Sequence, residues 1–199
     1  NVRSVINAIE SLGESVKVVT TGADILSAAK LVFPGVGAFG NMMRILREKN
    51  YIEPLLTYLQ SDRPFLGICL GLQVLFDYSE EAPDIKGLGF IPGTVKRFAI
   101  DLSVPHIGWN GLNIKQPSRL FAGLQGMEKF YFVHSYHVAA DDPEVILTTT
   151  DYGREFVSSI QKGNILATQF HPEKSGGAGL RLLQNFIDTP AEPVLPLKT

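Results

Sequence analysis

The chain has 199 residues, a length that suits one domain with a full hydrophobic core, and its 45% hydrophobic and 19% charged residues are ordinary for a globular protein. A net charge of −2 without a basic stripe gives nucleic acid no support as a partner; no apolar run is long enough to span a bilayer, and no charged-then-apolar leader opens the chain. One cysteine excludes an internal disulfide framework and fits a reducing compartment, while four histidines without His-x-x-x-His spacing argue against a structural metal.

In chain order, Val2, Val5, Ile6, Ile9 and Leu12 form a helical stripe, with Asn1 as cap and Gly13 as stop. Val16 to Val19 reads as a short strand, Asp24 to Leu26 opens a brief helix, and Leu31 to Phe33 is a buried strand ending in Pro34-Gly35. Helices are expected over about 41–48 and 52–60. Phe65 to Ile68 is the next buried strand, and Leu70 to Phe76 the helix leaving it. Short apolar strands between amphipathic helices indicate a parallel sheet covered on both faces.

The second half changes character. Val95 to Phe98, Phe130 to Val138, Val145 to Thr150, Phe156 to Ile160 and Ile165 to Phe170 all read as strands, the last two as a hairpin about Lys162-Gly163-Asn164. Gly179 to Ile187 is a closing helix. The fold class expected is α/β: a doubly wound, mixed, mostly parallel sheet flanked by helices, flavodoxin-like, with an antiparallel portion in the second half. Residues 1–188 form one domain, and 189–199, with Pro190, Pro193 and Pro196, read as a linker or tail.

Gly67-Ile68-Cys69-Leu70-Gly71 sits where a buried strand passes into a helix. Small residues on both sides permit the tight turn of a nucleophile elbow, and the free N–H groups of a helix N-terminus favour a thiolate there. Leu70 N–H points to the same place as an oxyanion donor. For a lone cysteine the commoner meaning is an inert buried side chain. The elbow therefore needs a base.

Of the four histidines, His106 follows Pro105 in a loop-like stretch, and His134 and His137 share one strand, pointing to opposite faces. His171 ends the strand from Leu166 and is followed by Pro172-Glu173-Lys174-Ser175. Strand ends gather chemistry in such sheets, and a turn brings the Glu173 carboxylate to the imidazole to hold its tautomer. His-Pro-Glu alone reads as a polar turn; paired with Cys69 it reads as a triad.

At this point the residues match a known family. Gly67 to Gln73 and Gln169 to Ser175 resemble the two signatures of class I, triad-type glutamine amidotransferases, and Pro34-Gly35-Val36-Gly37 looks like that family's oxyanion strand. Pro105 to Asn110, Tyr131 to Tyr136 and Asn1 to Gly13 are similar to segments of the glutaminase family of imidazole glycerol phosphate synthases. The resemblance reaches about Asp188.

The resemblance implies the following. Cys69 attacks the side-chain amide of glutamine, and His171, oriented by Glu173, protonates ammonia and then activates water. The oxyanion is held by Leu70 N–H and the Val36-Gly37 peptide. Gly35, Gly37, Gln73, His134, Ser135 and Tyr136 bind glutamine, and Trp109, Tyr136 and Lys174 face a (β/α)8 cyclase. That partner makes imidazole glycerol phosphate and AICAR from PRFAR, and no cofactor or metal is needed. A strand of the family precedes the Asn1–Gly13 helix and is expected upstream. The Pro-rich tail resembles the start of the glutaminase–cyclase connection in the fused form of fungi and plants, which implies a cytoplasmic or, for a plant chain, plastid protein. Two alternatives stay open: a glutaminase serving another synthase, and a catalytically idle interaction module.

Overall fold

Two neighbouring strands, Phe65–Cys69 and Ile165–Thr168, divide their side chains between two cores. Phe65, Ile165 and Ala167 enter one, and Leu66, Ile68 and Leu166 the other. Strand side chains alternate in direction, so a strand apolar on both faces must be covered on both. The computed structural model describes residues 2–191 and supplies those covers.

The elements run α1 (Val2–Ser11), α2 (Gly22–Ser27), β1 (Leu31–Gly35), α3 (Phe39–Glu48), α4 (Ile52–Gln60), β2 (Phe65–Cys69) and α5 (Leu70–Gln73). Then come β3 (Tyr78–Ser79), β4 (Ala82–Lys86), β5 (Gly93–Arg97), β6 (His106–Asn110), β7 (Asn113–Ile114), β8 (Phe130–His134) and β9 (Tyr136–Ala140). β10 (Ile146–Asp151), β11 (Glu155–Lys162), β12 (Ile165–Thr168) and α6 (Gly176–Ile187) complete the order. Helices α2 to α5 pack on the first core, and α1 and α6 on the second. This is an α/β fold with a mixed sheet flanked by helices. No helix among the described residues is long and apolar enough to cross a membrane.

The main sheet runs β1-β2-β12-β11-β9-β5-β3-β4, with β10 on β11 and β7 on β10. The parallel pairs β1–β2 and β2–β12 place three strand ends side by side: Gly35 opposite Cys69 in register, and Thr168 opposite Ile68. The β11–β12 hairpin forms as expected, turning at Gly163 with φ +60. A separate antiparallel ribbon, β6 with β8, pairs His106 with His134 and Trp109 with Tyr131.

Several local expectations are corrected. Residues 14–20 form no strand: a strand needs a ladder partner, and here Val16 and Val19 pack on different cores while Val18 is 54% exposed. Phe130 to Val138 is two strands in two different sheets, broken at Ser135. His106 opens a strand rather than a loop. The helix after Cys69 is the short α5, ending before Val74, and α6 starts a turn earlier than Gly179. Asn1 as a cap, and the tail from Glu192 on, lie outside the described residues.

Candidate active site

Cys69 is the last residue of β2 and the N-cap of α5, with φ 56 and ψ −107. A non-glycine residue in such a region costs on the order of 1–3 kcal/mol and persists only where the surroundings impose it. Here they do. A Cβ on Gly71 would land on the Phe33 carbonyl oxygen of β1, and one on Gly67 would sit 2.6 Å from the Gly71 carbonyl. The two glycines let strand, turn and helix close on each other, and Cys69 is forced outward, half-buried, as the free thiol.

His171 follows β12 at the same edge. Its backbone is clamped: its N–H donates to Tyr131 O at 2.9 Å, and its carbonyl accepts from Ser175 Oγ at 2.6 Å. Ser175 Oγ in turn accepts Tyr131 N–H at 3.0 Å. A short 3-10 turn over Pro172–Lys174 folds Glu173 back, so that His171 Nδ1 lies 2.8 Å from Glu173 Oε1. Among the described residues Nε2 has no hydrogen-bond partner. Burial pushes the imidazolium down, but the Cys69 side chain and the Glu173 carboxylate more than offset it and hold His171 up at about 9, from an ordinary 6.5. At neutral pH the imidazole is therefore protonated and stands as a proton donor on the pocket that Cys69 also lines.

Both groups open on one pocket of about 410 Å³, lined by Val36, Gly37, Cys69, Leu70, Gln73, Glu81, Pro105, His134, Ser135, Tyr136, His171 and Lys174, among others. Leu70 begins α5, where N–H groups lack partners within the helix. Gly37 has φ +95 with nothing near its Cα face, so its backbone shape alone demands glycine. Gly35 is beneath rather than in the pocket, packed on Leu70. Glu173 stands behind His171 with its side chain 1% exposed. Trp109 is outside the pocket, 54% exposed, edge-on to Tyr131 at 5.9 Å, and Lys174 Nζ lies 5.7 Å from the same Tyr131 ring.

The expectation that His134 and His137 face opposite ways is also corrected. The break at Ser135 turns both toward Phe98, at 5.2 and 4.8 Å between ring centres, and both are buried. His106 stacks on Tyr152 at 3.9 Å and places Nδ1 3.1 Å from His134 Nε2. Burial pushes His106 down to about 4 and His134 down to about 3, so these rings are neutral. Tyr136 O, which can only accept, receives His134 Nδ1–H at 2.7 Å; His134 Nε2 therefore accepts from His106 Nδ1–H. His134 thus braces the Tyr136 carbonyl from inside while itself lining the pocket.

Sequence reasoning missed three neighbours. Glu81 lines the pocket and accepts Phe39 N–H at 2.7 Å, at the start of α3. Ser175 is the clamp just described, and Gln169, wholly buried, donates Nε2–H to Cys69 Sγ at 3.6 Å. Only Ser175 and Gln169 had a signal, as flanks of the His-Pro-Glu segment.

Residues 1–189 match the family described as glutamine amidotransferase class-I. The imidazole glycerol phosphate synthase subunit HisH of Syntrophotalea carbinolica is 49% identical, covering 94% of this chain and 95% of that protein. The chloroplastic imidazole glycerol phosphate synthase hisHF of Arabidopsis thaliana is 50% identical over 98% of this chain, which spans 33% of that longer protein. A crystal structure of a glutamine amidotransferase superposes with TM-score 0.70 at 21% identity, covering 94% of this chain and 92% of that one, a likeness of fold. The chain belongs to the glutamine amidotransferase class-I family, in the group of the HisH subunit of imidazole glycerol phosphate synthase.

Proposed function

We propose that this chain hydrolyses glutamine to glutamate and ammonia and delivers the ammonia to a (β/α)8 cyclase that makes imidazole glycerol phosphate and AICAR from PRFAR in histidine biosynthesis. The observation that carries the reading is the convergence of Cys69, on its strained elbow, with the His171–Glu173 pair on one pocket.

Glutamine enters with its side-chain amide at Cys69 Sγ. The Glu81 carboxylate meets the substrate ammonium, and the Ser135-Tyr136 backbone meets its carboxylate. As Sγ adds to the carbonyl carbon, Leu70 N–H and the Val36-Gly37 peptide N–H donate hydrogen bonds to the developing oxyanion. The His171 imidazolium gives its Nε2 proton to the departing ammonia, leaving a γ-glutamyl thioester on Cys69. The neutral ring then takes a proton from water as it attacks the thioester, and glutamate leaves with the thiolate restored. Glu173 holds the Nδ1–H tautomer throughout.

Trp109, Tyr136 and Lys174 form the cyclase-facing rim, a placement supported by the exposure of Trp109 and the Lys174–Tyr131 contact. The same reading takes residues 1–188 as the glutaminase domain and 189–199 as the start of a connection to a fused cyclase. Supporting it, the similarity to the fused Arabidopsis protein covers 98% of the chain. A glutamine-analogue electrophile tests the site: a covalent adduct on Cys69 is expected, and no adduct with the cyclase and its ligand present overturns the reading.

A further inference from the structure

Beyond the triad, one polar chain ends on the nucleophile itself. Gln169 Nε2 donates to Cys69 Sγ at 3.6 Å, while Gln169 Oε1 accepts from Gln73 Nε2 at 3.1 Å. Gln73 Nε2 also donates to Tyr136 O at 3.2 Å, the carbonyl that receives His134 Nδ1–H. Both glutamines are buried, at 5% and 0% exposure.

We propose that Gln169 is a further catalytic residue of the glutaminase reaction, presenting its amide N–H to the sulfur of Cys69, and that Gln73 enforces this orientation from the Tyr136 carbonyl. The proposal rests on the reading of Cys69 as nucleophile.

The two ends of a glutamine amide are interchangeable in shape, so orientation must come from partners. Tyr136 O has lone pairs only and fixes the NH2 end of Gln73 toward itself. The second hydrogen of that NH2 then meets Gln169 Oε1, and Gln169 Nε2 is left facing Sγ. Reversing Gln169 sets an NH2 against an NH2 and an amide oxygen against sulfur lone pairs, replacing two attractions with two repulsions around a buried side chain. An N–H donor at sulfur stabilises the thiolate over the thiol and limits its swing about Cα–Cβ. It also gives Gln73 a role within the protein in addition to lining the substrate pocket, and it explains why a wholly buried polar side chain stands at position 169.

The test is the second-order rate of iodoacetamide modification of Cys69 at neutral pH, read by peptide mass in the complete protein. Gln169→Met keeps length and burial but removes the donor, and a slowing of about fivefold or more is expected, as for a lost hydrogen bond to a charged group. Gln73→Met adds no charge near the sulfur but frees Gln169 Oε1 from its donor, and a slowing smaller than that of Gln169→Met is expected. Gln169→Leu, a second apolar replacement of the donor, is expected to slow as Gln169→Met does. A merely structural role gives the opposite sign, because loosened packing exposes the thiol and leaves the rate unchanged or faster. A smaller slowing in Gln169→Met overturns the proposal; should that variant fail to fold, Gln169→Leu decides by the same threshold. If wild-type Cys69 reacts no faster than in the unfolded chain, the nucleophile reading itself falls, a result distinct from equal rates in wild type and variants.

Discussion

His171 Nδ1 lies 2.8 Å from Glu173 Oε1, with the two side chains only 3% and 1% exposed. The carboxylate therefore acts on the imidazole in a poorly screened setting, and its removal is felt directly in proton transfer. Glu173→Gln keeps the shape and loses the charge. Glutamine turnover is expected to fall by about 10²–10⁴. In wild type the alkaline limb of kcat/KM is expected to follow loss of the His171 proton at about 9, and in the variant that limb is expected to move to lower pH. A pH–rate series on both proteins checks this.

The same raised value links to stability. His171 is held above its ordinary 6.5, so the folded state binds its proton more tightly than the unfolded chain. The contribution is complete below about pH 6.5 and is lost as pH rises through about 9. Urea midpoints measured across that window are expected to fall for wild type, and to fall less for Glu173→Gln.

Strain at Cys69 is a separate cost. With φ 56 and ψ −107, glycine suits the position better than any residue with a Cβ. Cys69→Gly is expected to raise unfolding stability by about 1 kcal/mol while abolishing glutaminase activity, a trade of stability against function. Chemical denaturation of the two proteins measures it.

Ser175 Oγ joins Tyr131 N–H to the His171 carbonyl. Ser175→Ala takes the acceptor from Tyr131 N–H and one of two donors from His171 O, which keeps Lys174 N–H, at a cost of about 1–3 kcal/mol. The larger effect is expected on kcat rather than KM, because the clamp holds the base and not the substrate. Steady-state kinetics with glutamine separates the two.

How much was legible in the sequence follows from how local each feature is. The elbow at Cys69 and the turn from His171 to Glu173 are each built within a few residues, so spacing and residue type reveal them. The apolar runs of β2 and β12 announce a sheet covered on both faces. The break at Ser135 was not legible, because apolar residues continue on both sides and only pairing with different sheets divides β8 from β9. Val16 to Val19 has strand composition, but pairing partners are a property of the assembled sheet. Two-residue strands such as β3 and β7 carry too little pattern to read. Glu81 reaches the pocket from between β3 and β4, 42 positions beyond the Phe39 N–H it accepts, and Gln169 gains its meaning only from a sulfur 100 positions away.

The central claim is that Cys69 makes ammonia for a cyclase. The direct measurement is imidazole glycerol phosphate formation by Cys69→Ala in the complete enzyme, driven once by glutamine and once by added ammonium salt. The account requires glutamine-driven synthesis to vanish while ammonium-driven synthesis persists near the wild-type rate. Retained glutamine-driven synthesis, or loss of both, would contradict it.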